Sequence, residues 1–108
     1  MKTFFITDKG RTRDMNQDYM FVSETPVGNL PNLFIVADGM GGHNAGDYAS
    51  RYAVEIMVRR IHACEKKEPA AVFEHAITAA NQELLLRSRE ESELAGMGTT
   101  AVLACIEG

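Results

Sequence analysis

Leu33-Phe34-Ile35-Val36-Ala37-Asp38-Gly39-Met40-Gly41-Gly42-His43 is the stretch around which the rest of the chain is arranged. Its five leading apolar residues predict a strand covered on both faces, because a strand with one wet face would alternate apolar with polar residues. The run passes directly into an acidic residue and a segment with three glycines in the four positions 39–42, which predicts a loop. A carboxylate is thereby presented at a strand end. Glycine has no side chain and pays no steric penalty at positive φ, so backbone groups there can come close to a ligand. Two readings stand side by side: an ion or phosphate site, or an ordinary glycine turn after a buried strand.

On the N-terminal side, Thr3 to Asp8 and Asp18 to Glu24 are β-prone runs that predict two neighbouring strands, with Lys9-Gly10 as the break. Between them, Gly10-Arg11-Thr12-Arg13-Asp14-Met15-Asn16-Gln17-Asp18 carries cations first and carboxylates and amides after. This is either a solvated connection or a working segment in which Arg13 offers a planar fork to phosphate oxygens and Asp18 helps hold a cation. Thr25 to Asn32 contains two prolines and a glycine; it predicts a loop leading into the strand, free to vary without harm to chemistry.

On the C-terminal side, Asn44 is placed to cap a helix. Apolar residues recur at Tyr48, Ala49, Tyr52, Ala53, Ile56, Met57 and Ile61, which forms one helical face. That helix is expected to end near Lys66-Lys67, and Pro69 suits the first turn of a second helix. The second helix has its stripe at Val72, Phe73, Ala76, Ile77, Ala80, Leu84 and Leu85 and a frayed, charged end over 87–93. Tyrosine and methionine on these faces are read as core. Met97 to Ile106 predicts a last buried strand entered through a glycine and two threonines. The order is strand, strand, strand, helix, helix, strand, an α+β pattern with no repeat or linker.

A chain of 108 residues accommodates one domain and is too short for two. With 45% hydrophobic and 24% charged residues it has the composition of a globular protein. The net charge of -4, from 15 acidic and 11 basic residues, argues against nucleic acid or an acidic membrane surface as partner. The short basic spots at Arg11 and Arg13, Arg59-Arg60 and Lys66-Lys67 are read as solvated surface. Phe4-Phe5-Ile6 is far too short for a secretory core or a membrane span, so a cytoplasmic location is expected. Cys64 and Cys105 form no Cys-x-x-Cys pair and are read as reduced, small hydrophobes.

The glycine segment fails the nucleotide fingerprints. No lysine follows a glycine pair as in the P-loop, and Asn44 stands where the dinucleotide motif requires glycine. His43, His62 and His75 lie on separate stretches, away from the cysteines, which argues against zinc; a Gly-x-Ser-x-Gly elbow is absent. What remains is oxygen chemistry. Asp38, the Gly39 carbonyl and Asp18 are hard donors that favour magnesium or manganese. A two-metal site can orient a water and lower its pKa. With Arg13 anchoring the phosphoryl group, the reaction is hydrolysis of a phosphate ester.

Three motifs carry a resemblance: Gly10-x-x-Arg13-x-x-Asn16-Gln17-Asp18, then Val36-Ala37-Asp38-Gly39-Met40-Gly41-Gly42-His43-x-x-Gly46-x-x-Ala49-Ser50, then Met97-Gly98-Thr99-Thr100. In order and spacing the chain resembles the metal-dependent type 2C protein serine/threonine phosphatases in their bacterial form. The resemblance implies part of a four-layer α-β-β-α sandwich whose two sheets hold a dinuclear manganese or magnesium centre, and a phosphoprotein substrate. It matches Asp38 to the carboxylate bridging both metals, Gly39 to the residue giving a backbone carbonyl, Arg13 to the phosphate-binding arginine and Asp18 to the second acidic position of the first motif.

Two positions depart from the pattern. Gln17 stands where many members have a glutamate reaching a metal through water, and an amide brings no charge to that contact. Met40 occupies the place of a histidine proposed as general acid in animal members; methionine donates no proton, which leaves His43 or solvent for that role. His43 is read equally well as a loop histidine bonded to backbone.

The resemblance covers residues 1–108 as the N-terminal, incomplete part of a single domain, without the C-terminal aspartates that complete the metal site. Two six-coordinate ions offer about twelve positions, of which this stretch fills about three or four, so weak binding of one ion at most is expected. Two helices cover only one sheet face. The other should be an exposed apolar patch, favouring self-association. The enzyme reading therefore stands beside a truncated, non-catalytic metal-binding or protein-interaction module.

Overall fold

The apolar run 33–37 becomes the inner part of an antiparallel sheet in a computed structural model, which describes residues 2–6, 18–40, 45–91 and 97–106. Strands β1 (Lys2–Ile6), β2 (Asp18–Ser23) and β3 (Leu33–Met40) are followed by helices α1 (Ala45–Ala63) and α2 (Pro69–Glu90) and by strand β4 (Gly98–Cys105). The expected order is the observed one. The four strands line up as β1-β4-β3-β2, every neighbouring pair antiparallel. The last strand thus inserts between the first and the third.

Period-two alternation sorts β3 into two faces. Leu33, Ile35 and Ala37 are at most 1% exposed and lie under the helices, together with Ala101, Leu103 and Cys105 of β4. Phe34, Val36 and Asp38 point the other way. Small residues let α1 lie close on the covered face: Ala45, Gly46, Ala49 and Ala53 are all buried. Helix α2 begins with Pro69 in its first turn, where a missing N–H costs nothing. It packs beside α1 through Val72, Phe73, Ala76, Ala80 and Leu84, and all of these join one continuous core.

Three expectations are corrected. Helix α1 stops at Ala63, before the lysine pair, and the Asn29 amide donates to the carbonyls of Cys64 at 3.3 Å and Lys66 at 3.1 Å just beyond its end. The loop 25–32 is less free than its composition suggests. Val27 and Leu30 bond each other's backbone and are buried, and Gly28, at φ 59°, packs so tightly that a Cβ there would strike the carbonyl of Ile61. Leu85, expected in the core stripe, is 49% exposed, at the rim of a cleft between α2 and the start of β4.

The face away from the helices is open and apolar. Met20 is 64%, Val22 58% and Val36 45% exposed, and in register Met20 pairs with Val36 and Val22 with Phe34. At one end of this face a side chain prolongs the β3–β4 ladder: Asn32 Nδ2 donates to the Ile106 carbonyl at 3.0 Å, and the Ile106 N–H donates to Asn32 Oδ1 at 2.7 Å.

Candidate metal site at one end of the sheet

The strand does not stop at Asp38. Thr100, Thr99 and Gly98 of β4 pair with Asp38, Gly39 and Met40, so extended backbone continues through the first glycine. Asp38 is consequently held inside the sheet, with Asp18 of β2 as its register partner on one side and Thr100 of β4 on the other. Direct partners in an antiparallel pair stand on one face with Cβ atoms about 5 Å apart. Asp18, Asp38 and Thr100 therefore form one cross-strand row at the end of the open face. Asp38 is half-buried and its Oδ1 is buried.

Gly39, the next residue, is buried on the helix side. A Cβ at this position would collide with the backbone carbonyl of Gly46 in the first turn of α1. The glycine is needed because two backbones meet there. On the same side the hydroxyl of Thr99 lies 3.1 Å from the Asp38 carbonyl oxygen.

These residues fit a hard divalent cation. A carboxylate beside a backbone carbonyl is an oxygen donor set of the kind magnesium and manganese take, and Asp18 is the register partner of Asp38. The fit is that of one wall. Among the described residues no three His, Cys, Asp or Glu form a metal-holding group. Arg13, Gln17 and His43 lie outside the described residues, as do Asn16, Gly41 and Gly42. The structure thus brings together Asp18, Asp38 and Gly39, by register and by sequence. Two contributors that carried no role in the sequence are Gly46 and Thr99. Their signal was present as letters of the motifs, but the contacts depend on α1 and β4 folding back on β3.

Away from this end, a polar seam ties the helices. The Tyr48 and Tyr52 rings stand 5.3 Å apart, Arg87 sits 5.0 Å over the Tyr52 ring and the Tyr52 hydroxyl donates to Glu83 Oε1 at 3.4 Å. Burial pushes the Tyr48 phenol up, against the opposing pull of the Arg87 charge.

The family model for Protein phosphatase 2C matches residues 7–108. The serine/threonine phosphatase stp of Listeria monocytogenes serotype 4b (strain F2365) is 41% identical over 108 residues, covering 96% of this chain and 42% of the relative. Among solved structures, the serine/threonine phosphatase Stp1 from Staphylococcus aureus superposes with a TM-score of 0.70 at 32% identity, over 98% of this chain and 42% of that one. The catalytic domain of the serine threonine protein phosphatase PstP, solved in complex with two manganese ions, gives a TM-score of 0.69 at 27% identity, over 99% of this chain and 44% of that one. The chain spans less than half the length of these relatives.

Proposed function

The chain belongs to the protein phosphatase 2C family, and from that premise we propose that it forms the N-terminal part of a metal-dependent phosphatase acting on phosphoserine and phosphothreonine in proteins. The observation that carries the reading is the register pairing of Asp18 with Asp38 directly before Gly39. In this reading Asp38, the Gly39 carbonyl and Asp18 hold manganese or magnesium. The bound ions supply Lewis acidity and a water of lowered pKa. Arg13 binds the phosphoryl oxygens through paired N–H donors and orients the ester. Gln17 brings a hydrogen-bonding amide without added charge to the first motif, and His43 or solvent donates the proton in place of Met40.

One wall of oxygen ligands offsets little of the charge on two divalent ions. We therefore expect weak binding, of one ion at most, by residues 1–108 taken alone, read by calorimetry with manganese chloride; two tight sites would overturn this. The test of the reaction is manganese-dependent hydrolysis of a chromogenic phosphate ester by the full-length chain. Asp38→Asn is expected to lower kcat/KM by about a hundredfold or more, several kcal/mol of transition-state stabilisation. Unchanged activity would remove Asp38 from the metal site.

A second reading, an interaction module without catalysis, is favoured by one feature, the apolar face of Met20, Val22 and Val36. It predicts self-association of residues 1–108 sheet to sheet; a monomer at all concentrations in sedimentation would count against it. No described helix is long and apolar enough to cross a membrane. Cytoplasmic placement is part of the proposal and is checked by cell fractionation.

A further inference from the structure

Met97-Gly98-Thr99-Thr100 has no part in the chemistry assigned to Asp38, Gly39 and Arg13, yet its last two residues pair with Gly39 and Asp38. Thr99 stands opposite Gly39 in the β3–β4 register and turns toward the helix side. There it borders a cleft of about 530 Å³ with Met57, Leu84, Met97 and Ala101. Its hydroxyl is 3.1 Å from the carbonyl oxygen of Asp38 and 3.0 Å from that of Thr100. A hydroxyl has one proton to donate, so the two carbonyls share it. Those carbonyls belong to the two residues that stand side by side in the row on the opposite face. Thr99 thus grips, from behind, the backbone units that carry the front of the candidate site.

The grip falls at the point of least intrinsic restraint. Gly39 follows Asp38, and a residue without Cβ leaves the shared peptide free to rotate into conformations other residues avoid. The Gly46 backbone closes one side of that freedom. The Thr99 hydroxyl adds a second restraint on the same side, from a β-branched side chain that is stiff at χ1. We propose that Thr99 is a positioning residue for the metal wall: by holding the Asp38 carbonyl it fixes the Asp38–Gly39 peptide, the backbone unit that joins the Asp38 carboxylate to the Gly39 carbonyl one peptide further on, both of which would be offered to manganese or magnesium. The assignment rests on the metal reading of Asp38 and Gly39.

The experiment is calorimetric titration of the full-length chain with manganese chloride, wild type against Thr99→Val and Thr99→Ser, with the Gly39 amide nitrogen shift read in the metal-free proteins. Thr99→Val keeps the shape and loses the hydroxyl. It is expected to weaken manganese binding roughly five- to tenfold, the size of one net hydrogen bond, and to move the Gly39 resonance. Thr99→Ser keeps the hydroxyl and is expected to stay close to wild type in both. Wild-type affinity in Thr99→Val, or a loss in Thr99→Ser as large as in Thr99→Val, overturns the assignment while leaving the metal reading intact. A wild-type chain that binds no manganese overturns the metal reading and the assignment with it. Should Thr99→Val fail to fold, Thr99→Ala against Thr99→Ser makes the same comparison.

Discussion

The two faces of β3 are built from the same alphabet and meet opposite fates. Leu33, Ile35 and Ala37 are sealed under α1 at no more than 1% exposure, whereas Val36, between two of them, is 45% exposed. Burial of apolar surface is the main favourable term in folding, so one face holds the described residues together while the other contributes little. A strand whose wet face is apolar is written for two layers. The open face also carries the Asp18–Asp38–Thr100 row at its end. The uncovered apolar surface and the proposed metal wall therefore share one face, and a layer that closed the first would also reach the second.

The contrast is broken most directly by truncation. Leu33→Ala is expected to cost about 2–5 kcal/mol, as for a large side chain removed from a packed core, and Val22→Ala on the open face no more than about 0.5 kcal/mol. Chemical denaturation reads both, and equal losses would mean that the open face is covered in solution. Next in size is Gly39→Ala. The added methyl group meets the Gly46 backbone, and the forced shift is expected to cost about 1–3 kcal/mol and to weaken manganese binding with it. An unchanged denaturation midpoint would show that the strand and helix can separate freely there.

Smaller effects follow from charge. Met20→Lys with Val36→Lys should change stability by less than about 1 kcal/mol, as surface substitutions do, yet remove concentration-dependent sedimentation of residues 1–108. Persistence of the larger species would place self-association elsewhere. The smallest effect belongs to the helix layer. The Tyr48 phenol ionises above its usual value of 10.0 because it is desolvated. The native chain therefore keeps a proton that the unfolded chain has begun to lose. Stability linked to Tyr48 is full below pH 10.0 and is lost as pH rises through the higher folded value. Denaturation midpoints should fall on this alkaline limb, and less steeply in Tyr48→Phe; identical limbs would mean that the phenol is not desolvated.

Element order was legible because the periods are strong. A continuous apolar run, two 3.6-residue stripes and a threonine-led strand allow little else. The family could be identified from three motifs in sequence order. The helix end at Ala63 was not legible, and the Asn29 amide that meets the carbonyl just beyond it lies 35 residues away from Cys64. The same holds for Thr99, which as a letter is an ordinary β-former. Its meaning comes from the register that sets it opposite Gly39 and 3.1 Å from the Asp38 carbonyl. Local pattern specifies elements; the contacts that tune a site arise where distant elements meet.

The paired hydrogen bonds between Asn32 and Ile106 fix a direction of travel. Strand β4 enters beside Met40 and leaves beside Asn32, so Ile106 is tied down about 20 Å from Thr100 at the usual rise per residue. Asp38 lies at the opposite end of the open face from Ile106. A second layer docked on that face would cover the strip of Met20, Val22 and Val36 and reach the Asp38 end as well. Completion of the cation site would then report that two layers have docked, and the ion would act as the final latch on the fold.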